Sequence, residues 1–412
     1  MNEQRHAGRA RGRTATFGRS LRLAVVVLTV ALAGVAMAAS AVSLRMARRV
    51  VAPAPRERDT RIVDLDTAAQ TITLSRTPDT RLPGRYGLAT EGTQAYVKLG
   101  TVLAETDTTV TRKLLTQIDD SSQLEAEATF SGWYFDRPEQ LHIPFTSELI
   151  GSPLGPCPAW LFPAPEAEAS TSHTWVIQVH GRGTTRAETL RAVPVFHGLG
   201  MTTLVVSYRN DGEAPRSRAG TYGLGGTEWR DVDAAVSFAR RHGAKRVVLM
   251  GWSMGGAIVL QLSLNSVHSG VIAGIVLDSP VTDWRIVLEY QAKLLHLPTP
   301  VSELALGALQ SDFSGIFAGT DAPISFDELD ATSRANELHH PILILHSDDD
   351  GFVPSAGSHR LAAERPDLVT LESFSVARHT KLWNYDERRW AQAITSWLAS
   401  QGLLAEPAVA DS

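Results

Sequence analysis

Residues 246–260, Arg-Val-Val-Leu-Met-Gly-Trp-Ser-Met-Gly-Gly-Ala-Ile-Val-Leu, set a serine between two apolar runs. The first run has the composition of a buried strand and the second that of a helix, so Ser253 sits at the turn between them. Gly251 and Gly255 stand two residues to either side. A serine at the tip of a sharp strand-to-helix turn carries its hydroxyl clear of the backbone, and flanking glycines remove the Cβ atoms that would keep the two elements apart. A hydroxyl so placed can form a covalent intermediate. An alcohol is a weak nucleophile at neutral pH, however, so the chemistry also needs a base, a group that orients the base, and donors for the oxyanion.

The elements that must position these groups are legible around the turn. Six apolar runs, 175–179, 203–207, 247–250, 274–277, 342–345 and 369–373, read as buried strands separated by helical patterns. One such pattern spans Thr227 to Arg241, where Val232, Ala235, Val236 and Ala239 follow helical spacing and Thr227 is placed to cap the start. Strands alternating with helices close as a mostly parallel sheet covered on both faces, which makes the fold class α/β. Such sheets bind ligands beyond the carboxyl ends of their strands. After the strand at 175–179 comes His180-Gly181-Arg182-Gly183, whose backbone N–H groups can face an oxyanion, with His180 holding the turn. After 342–345 comes His346-Ser347-Asp348-Asp349-Asp350-Gly351-Phe352-Val353-Pro354, and after 369–373 a loop carrying His379. Serine, aspartate and histidine therefore follow one another in chain order.

With these pieces at four strand ends, the chain over residues 145–401 resembles the α/β-hydrolase superfamily, whose members include serine esterases, lipases and peptidases. The resemblance implies an α/β-hydrolase fold, a Ser-Asp-His triad and no metal or organic cofactor. In that family's pattern the acid stands before a Val-Pro pair, which assigns it to Asp350; Asp348 and Asp278 are the competing carboxylates. Ser347 departs from the glycine usual at that point, which bears on turn geometry and not on chemistry. His379 is then the base for Ser253, and the backbone amides of Arg182 and Met254 form the oxyanion hole. The Arg182 side chain suits either a surface ion pair or attraction of an acidic substrate. His339, His340, His346 and the three aspartates match no zinc spacing and read as solvated loop residues.

The rest of the chain sets the context. Residues 1–61 hold twelve arginines against Glu3, Glu57 and Asp59, a balance of +9; with −5 over the whole chain, −14 remains for the body. A basic head on an acidic body argues against nucleic-acid binding. Leu23 to Leu44 contains 22 residues without a charge, enough to cross a bilayer as a helix. Its length favours an uncleaved signal anchor over a signal peptide cut after Ala36-Met37-Ala38, and either reading exports the body. The expected organisation is a basic cytoplasmic head at 1–22, a transmembrane helix or signal anchor at 23–44, a linker at 45–60, a β-rich region at 61–144, the hydrolase domain at 145–401 with a small helical lid at 283–334, and a tail at 402–412. Pro163 to Ser172, small and acidic, reads as a surface connection. Cys157 has no second cysteine to pair with and reads as a small apolar filler. The expectation is a membrane-tethered, extracytoplasmic serine hydrolase acting on a small-molecule acyl substrate. A peptidase or acyltransferase shares the acyl-enzyme, and a non-catalytic binding protein would keep the fold but break the triad.

Overall fold

The computed structural model describes residues 4–53, 57–91, 95–119, 121–122, 124–165 and 173–404, with side chains from Val26 onward. The expected connection at 163–172 and the tail at 402–412 thus lie mostly outside the described residues. An 8-stranded sheet is ordered β14-β13-β12-β11-β9-β10-β8-β7. Its parallel members are β9 (Thr174–Val179), β10 (Thr202–Val206), β11 (Arg246–Trp252), β12 (Ile272–Asp278), β13 (Ile342–Ser347) and β14 (Val369–Phe374). The hairpin of β7 (Thr146–Ser152) and β8 (Gly155–Phe162) adds an antiparallel edge against β10. All six residues of β9 and of β13 are buried, as expected of strands covered on both faces. Cys157 lies within β8, and burial pushes its thiol up to about 11, in keeping with an apolar filler.

Eleven helices are assigned among the described residues. They are α1 (Gln4–Val51), α2 (Val193–Gly198), α3 (Trp229–Arg241), α4 (Met254–Asn265), α5 (Trp284–Leu294), α6 (Thr299–Gln310), α7 (Ser314–Phe317), α8 (Phe326–Leu329), α9 (Ala356–Glu364), α10 (Leu382–Tyr385) and α11 (Glu387–Ser400). The interval from Asp283 to Arg334 is the helical insertion α5 to α8. Helix α3 starts two residues later than Thr227, and that threonine does not cap it. The preceding loop turns back on the helix, so the carboxylate of Glu228 accepts instead from the amides of Gly223 and Gly225.

Six antiparallel strands, β1 (Thr60–Asp66), β2 (Thr71–Ser75), β3 (Tyr86–Ala89), β4 (Tyr96–Glu105), β5 (Thr109–Leu114) and β6 (Glu127–Ser131), close into a barrel ordered β1-β2-β5-β4-β3-β6. Alternate residues such as Ile72, Leu74, Leu88, Val97 and Leu99 fill it, and closure leaves no exposed strand edge. One charge is buried inside. The Arg112 guanidinium donates to the carbonyls of Gly100, Thr80, Leu82 and Gly84 at 2.7–3.0 Å, and burial pushes its pKa down to about 10. Those bonds fasten the β2–β3 connection to the barrel core.

Helix α1 corrects one expectation. The linker expected at 45–60 is helical as far as Val51, because this stretch docks on the domain built around the 8-stranded sheet instead of leading to it. Between Val26 and Val51 the helix is apolar and long enough to cross a membrane. Val26 to Val42 is almost wholly exposed, whereas Ser43, Ala47 and Val51 are buried in the main core. The Ser43 hydroxyl donates to Val301 O on α6 at 2.9 Å, and Arg48 donates to the last carbonyls of α7. Tyr222 N in turn donates to Val51 O at 2.8 Å. Burial of one valine side chain contributes about 1.5–3 kcal/mol. A chain beginning at residue 60 should therefore lose about 3 kcal/mol or more of unfolding free energy relative to one beginning at residue 39, as denaturant titration of the two would read.

Candidate active site

Strand β11 and helix α4 meet at Ser253, whose backbone at φ 52° and ψ −117° belongs to neither element. A non-glycine residue in that region carries strain on the order of 1–3 kcal/mol. The surroundings hold it there: Ser253 N donates to Asp278 O at 3.0 Å, and Val281 N donates to Ser253 O at 3.1 Å. The two glycines are required by contact. A Cβ on Gly251 would stand 2.4 Å from Gly255 O, and one on Gly255 would stand 2.3 Å from Val179 O. Any side chain at either position would push α4 off the sheet.

The structure brings Ser253, His379 and Asp350 together. His379 Nε2 lies 3.0 Å from Ser253 Oγ, and His379 Nδ1 lies 2.7 Å from Asp350 Oδ2. Asp350 is buried, and its other oxygen accepts from the amides of Phe352 and Val353, each at 2.8 Å. Burial alone would raise its pKa, but the neighbouring His379 and His346 outweigh that and hold the carboxyl well below the usual carboxylate range. The competing carboxylates point elsewhere. Asp348 is half exposed and accepts from His359, Ser355 and Ser373. Asp278 accepts from the indole of Trp390 at 2.9 Å and from Ser279 at 3.0 Å, and burial raises its pKa.

His346 is the site-lining residue that sequence reasoning missed. The sequence pattern makes it a solvated loop residue, but β13 runs on to Ser347 and draws it into the sheet, where it is 1% exposed. Its Nε2 lies 3.2 Å from Asp350 Oδ2, the same oxygen that His379 contacts, and its Nδ1 2.7 Å from Ser358 Oγ, so it gives the carboxylate a second imidazole support. Only the length of the strand could have revealed this. The other two, His339 and His340, lie at the surface end of β13, and no cluster of three metal-type ligands occurs among the described residues.

The turn after β9 lies against Ser253, since a Cβ on Gly181 would come within 3.3 Å of Ser253 Cβ. His180 is buried beneath it, stacked on Tyr208 at 4.3 Å between ring centres and 3.1 Å from Asp211. Glu188 completes the support by accepting from Gly181 N at 2.9 Å. The Arg182 side chain takes neither role expected of it. Its guanidinium donates to Arg49 O at 2.5 Å and Ala52 O at 2.9 Å, satisfying carbonyls at the end of α1 that no helical amide reaches. Helix α1 and the turn beside Ser253 are thereby one connected structure.

The histidine loop is strained on both sides of His379, with Arg378 at φ 61° and Thr380 at φ 49°. Arg378 N donates to Asp349 Oδ1 at 2.9 Å, Thr380 N donates to Ser279 Oγ at 3.0 Å, and Arg191 donates to Thr380 O at 2.8 Å. Phe352 leans over the imidazole with 5.1 Å between ring centres, and its carbonyl accepts from Gln291 of α5. The helical insertion thus abuts the loop carrying Asp350.

Comparison with known proteins agrees with this architecture. Solved structures with a similar fold include an esterase of Pyrococcus furiosus, at 19% identity and a TM-score of 0.50, covering 65% of this chain and 94% of that one. A puromycin-hydrolyzing peptidase of Mycobacterium tuberculosis is 20% identical with a TM-score of 0.49 over 82% of this chain and 47% of its own. An esterase of Rhodococcus sp. is 17% identical with a TM-score of 0.43 over 63% of this chain and 99% of its own. At 19% identity the likeness to the Pyrococcus esterase concerns the fold alone. Residues 61–131, the barrel, match a domain of unknown function. Residues 176–401 match the alpha/beta hydrolase family over more than half of the chain, and the chain belongs to that family.

Proposed function

We propose that this protein is a serine hydrolase that cleaves an ester or related acyl bond through an acyl-enzyme on Ser253. The observation that carries the reading is the continuous hydrogen-bonded line from Ser253 Oγ through the His379 imidazole to Asp350. In the first step His379 Nε2 takes the hydroxyl proton as Ser253 Oγ attacks the acyl carbon. Asp350 keeps Nδ1 protonated and stabilises the imidazolium. The tetrahedral oxyanion is received by the amides of Met254 and Arg182, each donor contributing on the order of 3 kcal/mol. Met254 N opens α4, where first-turn amides have no intrahelical acceptor, so it is available to substrate. The imidazolium then protonates the leaving group, and water repeats the sequence to release the acid.

The reading extends to location. An exposed apolar stretch of α1, from Val26 to Val42, followed by a buried one in the catalytic domain supports a single-pass anchor that holds the domain directly at the membrane surface, on the non-cytoplasmic side.

Turnover of a p-nitrophenyl ester against pH tests the reading. The base must be neutral to accept the serine proton, so kcat/KM should fall by about tenfold per pH unit along the acid limb. Asp350, held low by its partners, adds no second limb above that of the base. A rate flat down to pH 4 contradicts histidine as the base.

A further inference from the structure

The barrel touches the hydrolase domain where the candidate base is held. The β2–β3 connection, Thr77-Pro78-Asp79-Thr80, points a single carboxylate at the histidine loop. Asp79 Oδ1 accepts from Arg378 Nε at 3.0 Å, and Asp79 Oδ2 lies 3.0 Å from Lys381 Nζ. These two cations are the neighbours of His379 and Thr380. Arg378 also donates through Nη1 to Asp349 O at 2.9 Å, and Lys381 reaches His379 O at 3.4 Å. The barrel carboxylate thus holds the loop carrying His379 at two points, and Arg378, one of its two partners, also joins that loop to the loop carrying Asp350.

The connection itself is rigid. Thr77 and Thr80 bond to each other through amide and hydroxyl, Thr80 Oγ1 donates to Ser75 O at 2.9 Å, and the buried Arg112 holds Thr80 O, Leu82 O and Gly84 O. The same face of the barrel closes on α10, where Arg85 N donates to Asn384 O and Asn384 Nδ2 donates to Arg85 O. A Cβ on Gly84 would stand 2.0 Å from Asn384 O, and one on Gly132, just beyond β6, 2.4 Å from Thr380 O. Backbone therefore meets backbone on both sides of the Asp79 contact. Burial opposes ionisation of Asp79, but Lys381 and Arg378 outweigh it and hold the carboxyl below its ordinary value, so the carboxylate is charged when it engages them.

From this geometry we infer that the N-terminal barrel is a positioning device for the hydrolase, and that Asp79 is the positioning residue through which it fixes the strained Arg378-His379-Thr380 segment. The inference rests on His379 acting as the base. Asp79 touches no reacting atom; it acts through the two cations that flank the imidazole. Fixing a base within hydrogen-bond reach of the nucleophile affects the chemical step more than substrate binding, because its interactions are realised in the transition state.

The test uses the full chain in Asp79→Asn and Asp79→Glu forms, with p-nitrophenyl acetate turnover and thermal melting measured on each. Asp79→Asn keeps the shape and removes the charge. The expected result is a kcat lowered about tenfold or more with KM within about twofold and a folded protein, and recovery of most of that kcat in Asp79→Glu. Should Asp79→Asn not fold, Arg378→Lys, which keeps the charge but loses the two-point hold on Asp79 and Asp349, should show the same kcat-selective loss. A folded Asp79→Asn with kcat unchanged overturns the inference, and so does a loss in both variants that merely follows the unfolded fraction. Ser253→Ala measured alongside separates the two levels: if it stays active, the reading of the site beneath fails.

Discussion

Replacing Ser253 with alanine should lower ester turnover by at least about 10⁴-fold while leaving the fold in place, because the substitution removes the atom that forms the covalent bond. The structural cost is small by comparison. Ser253 Oγ has one hydrogen bond, to His379, and a single bond of this kind contributes about 1 kcal/mol. The backbone bonds that hold residue 253 in its strained conformation belong to its N–H and C=O, which alanine keeps. Steady-state assay with a melting curve on the same sample checks both halves. Activity that survives with the melting temperature unchanged would remove Ser253 from the chemistry.

The second large effect separates two neighbouring carboxylates. Asp350→Asn should reduce kcat by about 10³–10⁴-fold, whereas Asp348→Asn should stay within about threefold. The reason lies in what Asp350 accepts. One oxygen takes the amides of Phe352 and Val353, and the other faces His379 and His346. An asparagine amide has only one acceptor oxygen, and two converging backbone amides will claim it, which turns the NH₂ group toward the histidines. His379 Nδ1 must then accept, so its proton moves to Nε2, the atom that has to receive the proton of Ser253. Asp348 is bonded to His359, Ser355 and Ser373 and has no such hold on the imidazole. Kinetics of the two variants decide the matter, and the opposite order of losses would transfer the acid to Asp348.

Which parts of this arrangement the sequence announces follows from how local their causes are. The turn at Ser253 is written in adjacent residues, since Gly251 and Gly255 mark close contacts that any Cβ would break. The strands around it are continuous apolar runs, and their carboxyl ends direct attention to Arg182, Asp350 and His379. Three features depend on partners far away in the chain and are not legible in this way. Barrel closure pairs Thr60 with Ala128, a registration that no local pattern encodes. Arg45 to Val51 looks like a charged connector, yet the helix continues because Ala47 and Val51 find a core built by α6 and by the segment around Tyr222. Arg182 looks like an exposed cation beside the site, and its actual acceptors, Arg49 O and Ala52 O, lie 130 or more residues earlier. His346 falls between these cases, because a strand two residues longer than its apolar run turned a loop residue into a buried prop for Asp350.

The barrel gives these long-range contacts a consequence. Asp79 and Arg378 are separated by 299 positions, yet their contact adjoins His379, the proposed base. Together with the Arg182 bonds to α1, it means that both the donor side and the base side of Ser253 are braced by segments N-terminal to the hydrolase sheet.

The central claim, that Ser253 is the nucleophile activated by His379 and Asp350, is tested most directly by treating the full chain with a fluorophosphonate and mapping the adduct by peptide mass spectrometry. The account predicts one phosphonate per chain, located on Ser253, absent in Ser253→Ala and formed at least about a hundredfold more slowly in Asp350→Asn. An adduct on another residue, or labelling that persists in Ser253→Ala, would contradict it.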